Sequence, residues 1–181
     1  MIKIPKWQYD EFKHCGVDFS DSAEVERYEN KHRQIRDFKK EASAIIDSIG
    51  LGLEDKVIDM GCGTGAFTLN AADKCGKIFA VDVSKAMLDL CRKKCRGAKI
   101  ANVEFFRAGF LSYEHKAKPV DAIVSKLAMH HLPDFWKQIA LRRLAQMLRK
   151  NGKFYLWDIV YSFDIKDYEK ALLLIDQFLK E

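Results

Sequence analysis

The segment Val57-Ile58-Asp59-Met60-Gly61-Cys62-Gly63-Thr64-Gly65-Ala66 constrains the fold more than any other stretch of the chain. A short apolar run stops at three alternating glycines and a helical pattern follows over residues 66 to 74, so the stretch reads as strand, tight turn and helix. Glycines permit the sharp reversal and leave room for a ligand, while the helix start offers unpaired N–H groups and a partial positive charge. An anionic or strongly polar ligand suits such a turn. Gly61, Gly63 and Ala66 also fit the dinucleotide pattern G-x-G-x-x-G/A, which nicotinamide and other adenosine-containing cofactors share.

Asp82 lies 21 residues beyond Gly61, at the end of the next apolar run. A carboxylate there can accept both hydroxyls of a ribose and disfavours a 2′-phosphate, which argues against NADP. The alternation continues, with strands expected at 56–60, 77–81, 103–106, 120–125 and 153–160 and helices at 66–74, 84–96 and 134–150. Ser84 has the chemistry of a helix cap, and Asn151-Gly152 reads as a helix end. Before these, Asp21 and Glu24 form a capping box. An apolar period through Val25, Tyr28, His32, Ile35, Phe38, Ala42, Ile45, Ile46 and Ile49 then predicts one long helix ending at Gly50 or Gly52. Residues 164–180 form a last helix with Ile165, Tyr168, Leu172, Ile175, Phe178 and Leu179 on one side.

Strands alternating with helices predict an α/β fold, doubly wound, with a mainly parallel sheet covered by helices on both faces. Residues 1–20, with Trp7, Tyr9, Phe12 and Phe19 among charges, read as an irregular arm over a site, and residues 21–181 as a single domain. Trp136 and Trp157 are expected in the core. At 181 residues folding should bury roughly 70% of the unfolded surface, which excludes two large domains and the need for disulfide or metal staples.

No run approaches the 20 or so apolar residues of a membrane span, and Lys3, Pro5 and Lys6 interrupt any secretory leader, so a cytoplasmic protein is expected. Five cysteines without a CxxC pair point to reduced thiols, with Cys91 and Cys95 as small buried hydrophobes and no metal site. The net charge of +5 gathers in Arg92-Lys93-Lys94-Cys95-Arg96 and around Arg142, Arg143, Arg149, Lys150 and Lys153. No aromatics interleave these runs, so they read as solvated helix faces and no nucleic-acid partner is expected.

Four ordered motifs resemble the class I S-adenosylmethionine-dependent methyltransferases of small-molecule type. Asp59-Met60-Gly61-Cys62-Gly63-Thr64-Gly65 is similar to their first motif, and Phe79-Ala80-Val81-Asp82-Val83-Ser84 to the acidic second strand. Val120-Asp121-Ala122-Ile123-Val124-Ser125, leading to Met129-His130-His131-Leu132-Pro133-Asp134, resembles the fourth strand and its turn, and Leu144 to Leu156 the helix and fifth strand. The resemblance covers roughly residues 40 to 160 and implies a Rossmann-like sheet and S-adenosyl-L-methionine as cofactor. It implies that Gly61, Cys62, Gly63 and Gly65 line the methionine moiety, with Asp59 near its ammonium group and Asp82 on the ribose. Val83 or Met87 would pack on the adenine. An acidic residue that often binds the adenine amino group is replaced here by Gly109, which leaves the Phe110 backbone N–H as the reader.

Ligands of open parallel sheets bind beyond the carboxyl ends of the strands, which places Ser125, Lys126, His130 and His131 beside the methyl group to be transferred. His130, His131 and Asp158 are the candidates for acceptor binding or general base, each against a plain structural role in its turn. The expected acceptor is a small molecule. The competing readings are an NAD-dependent oxidoreductase and a non-catalytic cofactor-binding or interaction module. The resembling fold ordinarily adds two strands after the fifth. Their apparent absence predicts an exposed edge at Lys153 to Val160, to be covered by the final helix, a partner subunit in a homodimer, or residues of a longer chain.

Overall fold

The computed structural model describes residues 5–13, 18–159 and 164–180. Five strands, β1 (Lys56–Met60), β2 (Lys77–Asp82), β3 (Val103–Arg107), β4 (Val120–Lys126) and β5 (Leu148–Trp157), form one sheet in the order β3-β2-β1-β4-β5. Every pairing is parallel. The chain winds outward from β1 to β3 on one side and then returns to lay β4 and β5 on the other. The order therefore reverses beside β1, and the glycine turn leaves the sheet at that point.

Strand periodicity sorts the core into two layers. Ile58, Met60, Phe79, Val81 and Ile123 face one side, against Phe110, Leu111, Tyr113 and the residues Ala140 and Leu144 of α5 (Asp134–Met147). Val57, Ile78, Ala122 and Val124 face the other, against Ala42, Ile45 and Ile49 of α2 (Phe38–Ile49) and Phe67 and Ala71 of α3 (Ala66–Ala71). Both layers are buried at their centres, and each Val, Leu, Ile, Met or Phe there contributes about 1.5–3 kcal/mol by leaving water. The remaining helices are α1 (Ser22–Ile35), α4 (Lys85–Gly97) and α6 (Tyr168–Lys180).

The single long helix expected over residues 21 to 50 is two helices. Arg36 is extended (φ −130°, ψ 137°), and the Asp37 side chain then caps α2 by accepting from the Lys40 N–H at 2.9 Å. The break lets α1 pack on α4 while α2 packs on α3. Ile35, whose spacing suggested a core role, is 69% exposed as a result.

A second difference lies after α5, which passes directly into β5 at Leu148 instead of running to residue 150. Asn151 (φ 63°) and Gly152 bend β5 itself: Val120 pairs with Leu148 but Ala122 pairs with Lys153. Arg149 Nε donates to Asp121 Oδ1 at 2.5 Å across this irregularity and anchors it to β4. Trp157 is 45% exposed rather than a core residue, with the Lys126 ammonium 4.2 Å above its ring. β5 pairs on one side only, so its outer edge is open among the described residues. Val160 and the side chains of Ile165, Ile175, Phe178 and Leu179 lie outside what is described, and Tyr168 and Leu172 are exposed. No described helix is long and apolar enough to cross a membrane.

Candidate functional site

The glycine turn is held from below by β2, with Gly61 and Cys62 both donating backbone N–H to the Val81 carbonyl, at 2.8 and 3.0 Å. Gly61 has φ +75°, and a Cβ there would sit 2.3 Å from the Ala128 Cβ of the turn after β4, so the two turns meet at a contact only glycine permits. Gly65 (φ +88°) is equally confined, by Cys91 Sγ on α4. Cys62 turns its side chain down towards Ala80 and Leu88, so its backbone alone lies in the loop.

Two carboxylates flank the loop, Asp59 buried and Asp82 half-buried. Asp59 closes its lower side, accepting from Thr68 Oγ at 2.6 Å. Burial pushes its pKa up to about 7, with the Thr68 hydroxyl opposing and the nearby Asp82 charge adding to the rise. Asp82 accepts from the Gly63 N–H through Oδ2 and from the Ser84 N–H through Oδ1, each at 2.8 Å. Burial raises its pKa as well, while the N–H groups of Ser84, Gly63 and Val83 hold it back. Neither carboxylate has a cationic side chain against it in the hydrogen bonds described, so the loop presents unneutralised acidity to a ligand.

A layer of residues from the first 41 positions closes over this end of the sheet. Glu29 of α1, only 6% exposed, accepts from Thr64 in the loop, from Lys94 Nζ of α4 at 2.8 Å and from Arg33 Nε at 2.8 Å. Burial would raise the Glu29 carboxyl, but these three donors outweigh it and lower its pKa. Tyr28 packs edge-on to Phe19 and against His32, and both Arg36 and Asp82 act on its hydroxyl. Ser84 donates to the Phe19 carbonyl while capping α4 at the Met87 N–H. Glu11 accepts from the Leu111 N–H at 2.9 Å. A groove of about 370 Å³ between α1 and α4, lined by Ser20, Val25, Lys85 and Asp89, includes no residue of the glycine loop.

The turn after β4 brings the third group of residues. Leu127 (φ 52°) donates to the Trp157 carbonyl at 2.8 Å, which sets the 3-10 turn Met129–His131 beside the end of β5. There Asp158 Oδ1 lies 2.6 Å from His130 Nδ1, and Asp158 Oδ2 accepts from the His130 backbone N–H at 3.0 Å. Burial would raise the Asp158 carboxyl, but the His130 ring and the N–H groups of Ile159 and His130 outweigh it and lower its pKa. It is therefore ionised near neutrality and an acceptor for a proton on His130 Nδ1, the arrangement in which Nε2 is the basic nitrogen of a neutral imidazole. His131 stacks on His130 at 4.2 Å. The Ser125 hydroxyl is fully buried and has no hydrogen-bond partner among the described residues.

The structure thus gathers Asp59, Gly61, Gly63, Gly65 and Asp82 around one turn, with Val83 against Gly109, His130 in the turn after the neighbouring β4 and Asp158 just past β5. Met87 and Phe110 are buried, Phe110 in the core cluster that faces α5, with its carbonyl accepting from Arg143 Nε. Glu11, Glu29 and Thr68 were not singled out from the sequence. Thr68 lies one helical turn past the motif and carried a weak signal; Glu11 and Glu29 reach the site from remote segments and carried none.

The methyltransferase-domain family model matches residues 57–152. Among curated proteins, an uncharacterized methyltransferase of Geobacillus sp. (strain WCH70) is 27% identical over 90% of this chain, which spans 73% of that protein. One from Bacillus velezensis is 32% identical over 71% of this chain, which spans 58% of that protein. The fold is shared with the crystal structure of an S-adenosylmethionine-dependent methyltransferase from Clostridium acetobutylicum. That likeness has a TM-score of 0.63 at 23% identity and covers 73% of this chain and 55% of the other.

Proposed function

The chain belongs to the methyltransferase-domain family, and from that premise we propose that it binds S-adenosylmethionine and methylates a small-molecule acceptor. The observation that carries the reading is the pair Asp59 and Asp82 on either side of the glycine loop, one buried and one half-buried carboxylate without a cationic partner among the described residues. The cofactor fits what they lack. Its ammonium group would neutralise Asp59, and its ribose hydroxyls would donate to Asp82 on the free lone pairs of oxygens already positioned by Gly63 and Ser84. Gly61, Gly63 and Gly65 leave the space for the methionine chain, and the unpartnered Ser125 hydroxyl offers a further polar contact. When bound, S-adenosylmethionine supplies an electrophilic methyl group.

The protein's own contribution is alignment and proton removal. His130 Nε2 takes the proton of an acceptor hydroxyl or ammonium, and the Asp158 carboxylate stabilises the imidazolium that forms. The acceptor is small because the N-terminal segment already crosses this end of the sheet: Glu11 sits at Leu111, Phe19 at Ser84, and the Tyr9 hydroxyl lies 3.4 Å from the His131 carbonyl. A dimer formed through the open edge of β5 is compatible with this site, which uses the carboxyl ends of the strands and leaves that edge free.

Isothermal titration with S-adenosylhomocysteine and with NADH tests the proposal. Binding of the first and not the second is expected, with Asp82→Ala weakening it about a hundredfold through the loss of charge-assisted hydrogen bonds. Binding of NADH alone, or unchanged affinity in the variant, contradicts it.

A further inference from the structure

Glu11 occupies an unusual position for a residue of an irregular terminal segment. One carboxylate oxygen, Oε2, accepts from the Leu111 N–H at 2.9 Å, while the other, Oε1, is fully buried and has no hydrogen-bond partner among the described residues. A buried carboxylate oxygen without a donor is costly unless something supplies one. The carboxyl group rests on Gly109: a Cβ at that position would lie 2.4 Å from Oε2 and 2.6 Å from the carboxyl carbon, with Val83 Cγ1 at 2.8 Å. Glu11 therefore delivers, from 98 residues away in sequence, a carboxylate to the volume that an acidic side chain at position 109 would fill. The segment is held in place there by Trp7 stacked on Trp136 at 6.0 Å, and by the Arg107 guanidinium 5.7 Å from the Phe12 ring.

The location follows from the sheet. With the ribose on Asp82 at the end of β2, and the methionine chain on the β1 side, the base extends over the neighbouring β3, whose end is the Arg107 to Leu111 turn. The amino group of adenine carries two donor hydrogens and needs an acceptor. We infer that Glu11 recognises that amino group, with Oε1 accepting one of its hydrogens while Oε2 stays on the Leu111 N–H. This inference rests on the S-adenosylmethionine reading above and assigns the specificity for adenine to the N-terminal segment rather than to the β3 turn. A 6-oxo purine presents an oxygen to the same carboxylate and is repelled.

Titration of S-adenosylhomocysteine and S-inosylhomocysteine into the wild-type protein, Glu11→Ala and Glu11→Gln tests it. The wild type should favour the adenosyl ligand by about tenfold or more, the size of one hydrogen bond to a charged group. Glu11→Ala should lose that preference by weakening the adenosyl ligand alone, the undiminished inosyl affinity showing that the site is intact. In Glu11→Gln the amide oxygen keeps the Leu111 bond and the NH₂ faces the base, so the preference should reverse. Tighter or unchanged adenosyl binding in Glu11→Ala would show that Glu11 only fills space. Equal loss of both ligands would show that it only braces the segment, and either result overturns the assignment. A wild-type protein that binds neither ligand overturns the cofactor reading itself and this assignment with it, whereas wild-type adenosyl binding with an unaltered ratio in both variants overturns the assignment alone.

Discussion

The Asp158 carboxylate grips His130 at two points, the ring Nδ1 at 2.6 Å and the backbone N–H at 3.0 Å. Its lowered folded pKa means that it contributes stability above the unfolded value of about 3.9, and that this contribution is lost as pH falls through the lower folded value. Asp158→Asn should therefore be about 1–3 kcal/mol less stable in urea titrations at pH 7, with the gap closing towards pH 3. Once an acceptor is in hand, kcat should fall while S-adenosylhomocysteine affinity holds, since the substitution releases the His130 tautomer and leaves the cofactor loop alone.

Asp59 runs the other way. Its folded pKa of about 7 lies above the unfolded value, so the ligand-free protein loses stability as pH rises from about 4 to about 7 and levels off beyond. Asp59→Asn removes that penalty. Its melting temperature should equal that of the wild type near pH 4 and exceed it at pH 8, while S-adenosylhomocysteine binding collapses. Wild-type affinity should climb through pH 7 as the carboxylate ionises to meet the ligand's ammonium group, and the variant should lack this rise.

The contact of Gly61 with Ala128 makes a double-mutant cycle informative. Gly61→Ala meets both a positive φ and a methyl group 2.3 Å away, and should cost about 2–4 kcal/mol. Adding Ala128→Gly removes the clash but leaves the backbone strain, so the double variant should recover all but about 1 kcal/mol. Strict additivity in chemical denaturation would show that the two turns do not touch.

Glu29 links α1, the glycine loop and α4 through Arg33, Thr64 and Lys94. Glu29→Gln should cost about 1–3 kcal/mol at pH 7, because it leaves the largely buried Lys94 ammonium without its counter-charge. The lowered pKa of Glu29 places this contribution above the unfolded value of about 4.3, so wild type and variant should converge below it.

The strands β1, β2 and β4 and the helix α4 were legible within a residue or so because apolar runs are cut by glycines at 61 and 76 and by the Ser84 cap. The break at Arg36 and Asp37 was not, since the apolar period runs through Ile35 and Phe38 as though the helix continued; the cap at Asp37 is visible only once Arg36 is known to be extended. Asn151-Gly152 signals a turn in either setting, and pairing with β4, a contact remote in sequence, decides that it bends a strand. The same division holds at the site. Asp59, Asp82 and the glycines belong to one local motif, whereas Glu11 and Glu29 become part of it only through tertiary folding.

The hydrogen bonds that seat the first 41 residues span long stretches of chain: 100 residues from Glu11 to Leu111, 65 from Phe19 to Ser84, 65 from Glu29 to Lys94 and 85 from Glu41 to Lys126. Each such closure costs chain entropy that local contacts do not. None of these partners exists when the N-terminal segment leaves the ribosome, and α1 has little to dock on before the glycine loop and α4 are made. For these contacts the order of synthesis and the order of assembly are thus opposed, and the segment stays exposed until the sheet it completes has formed.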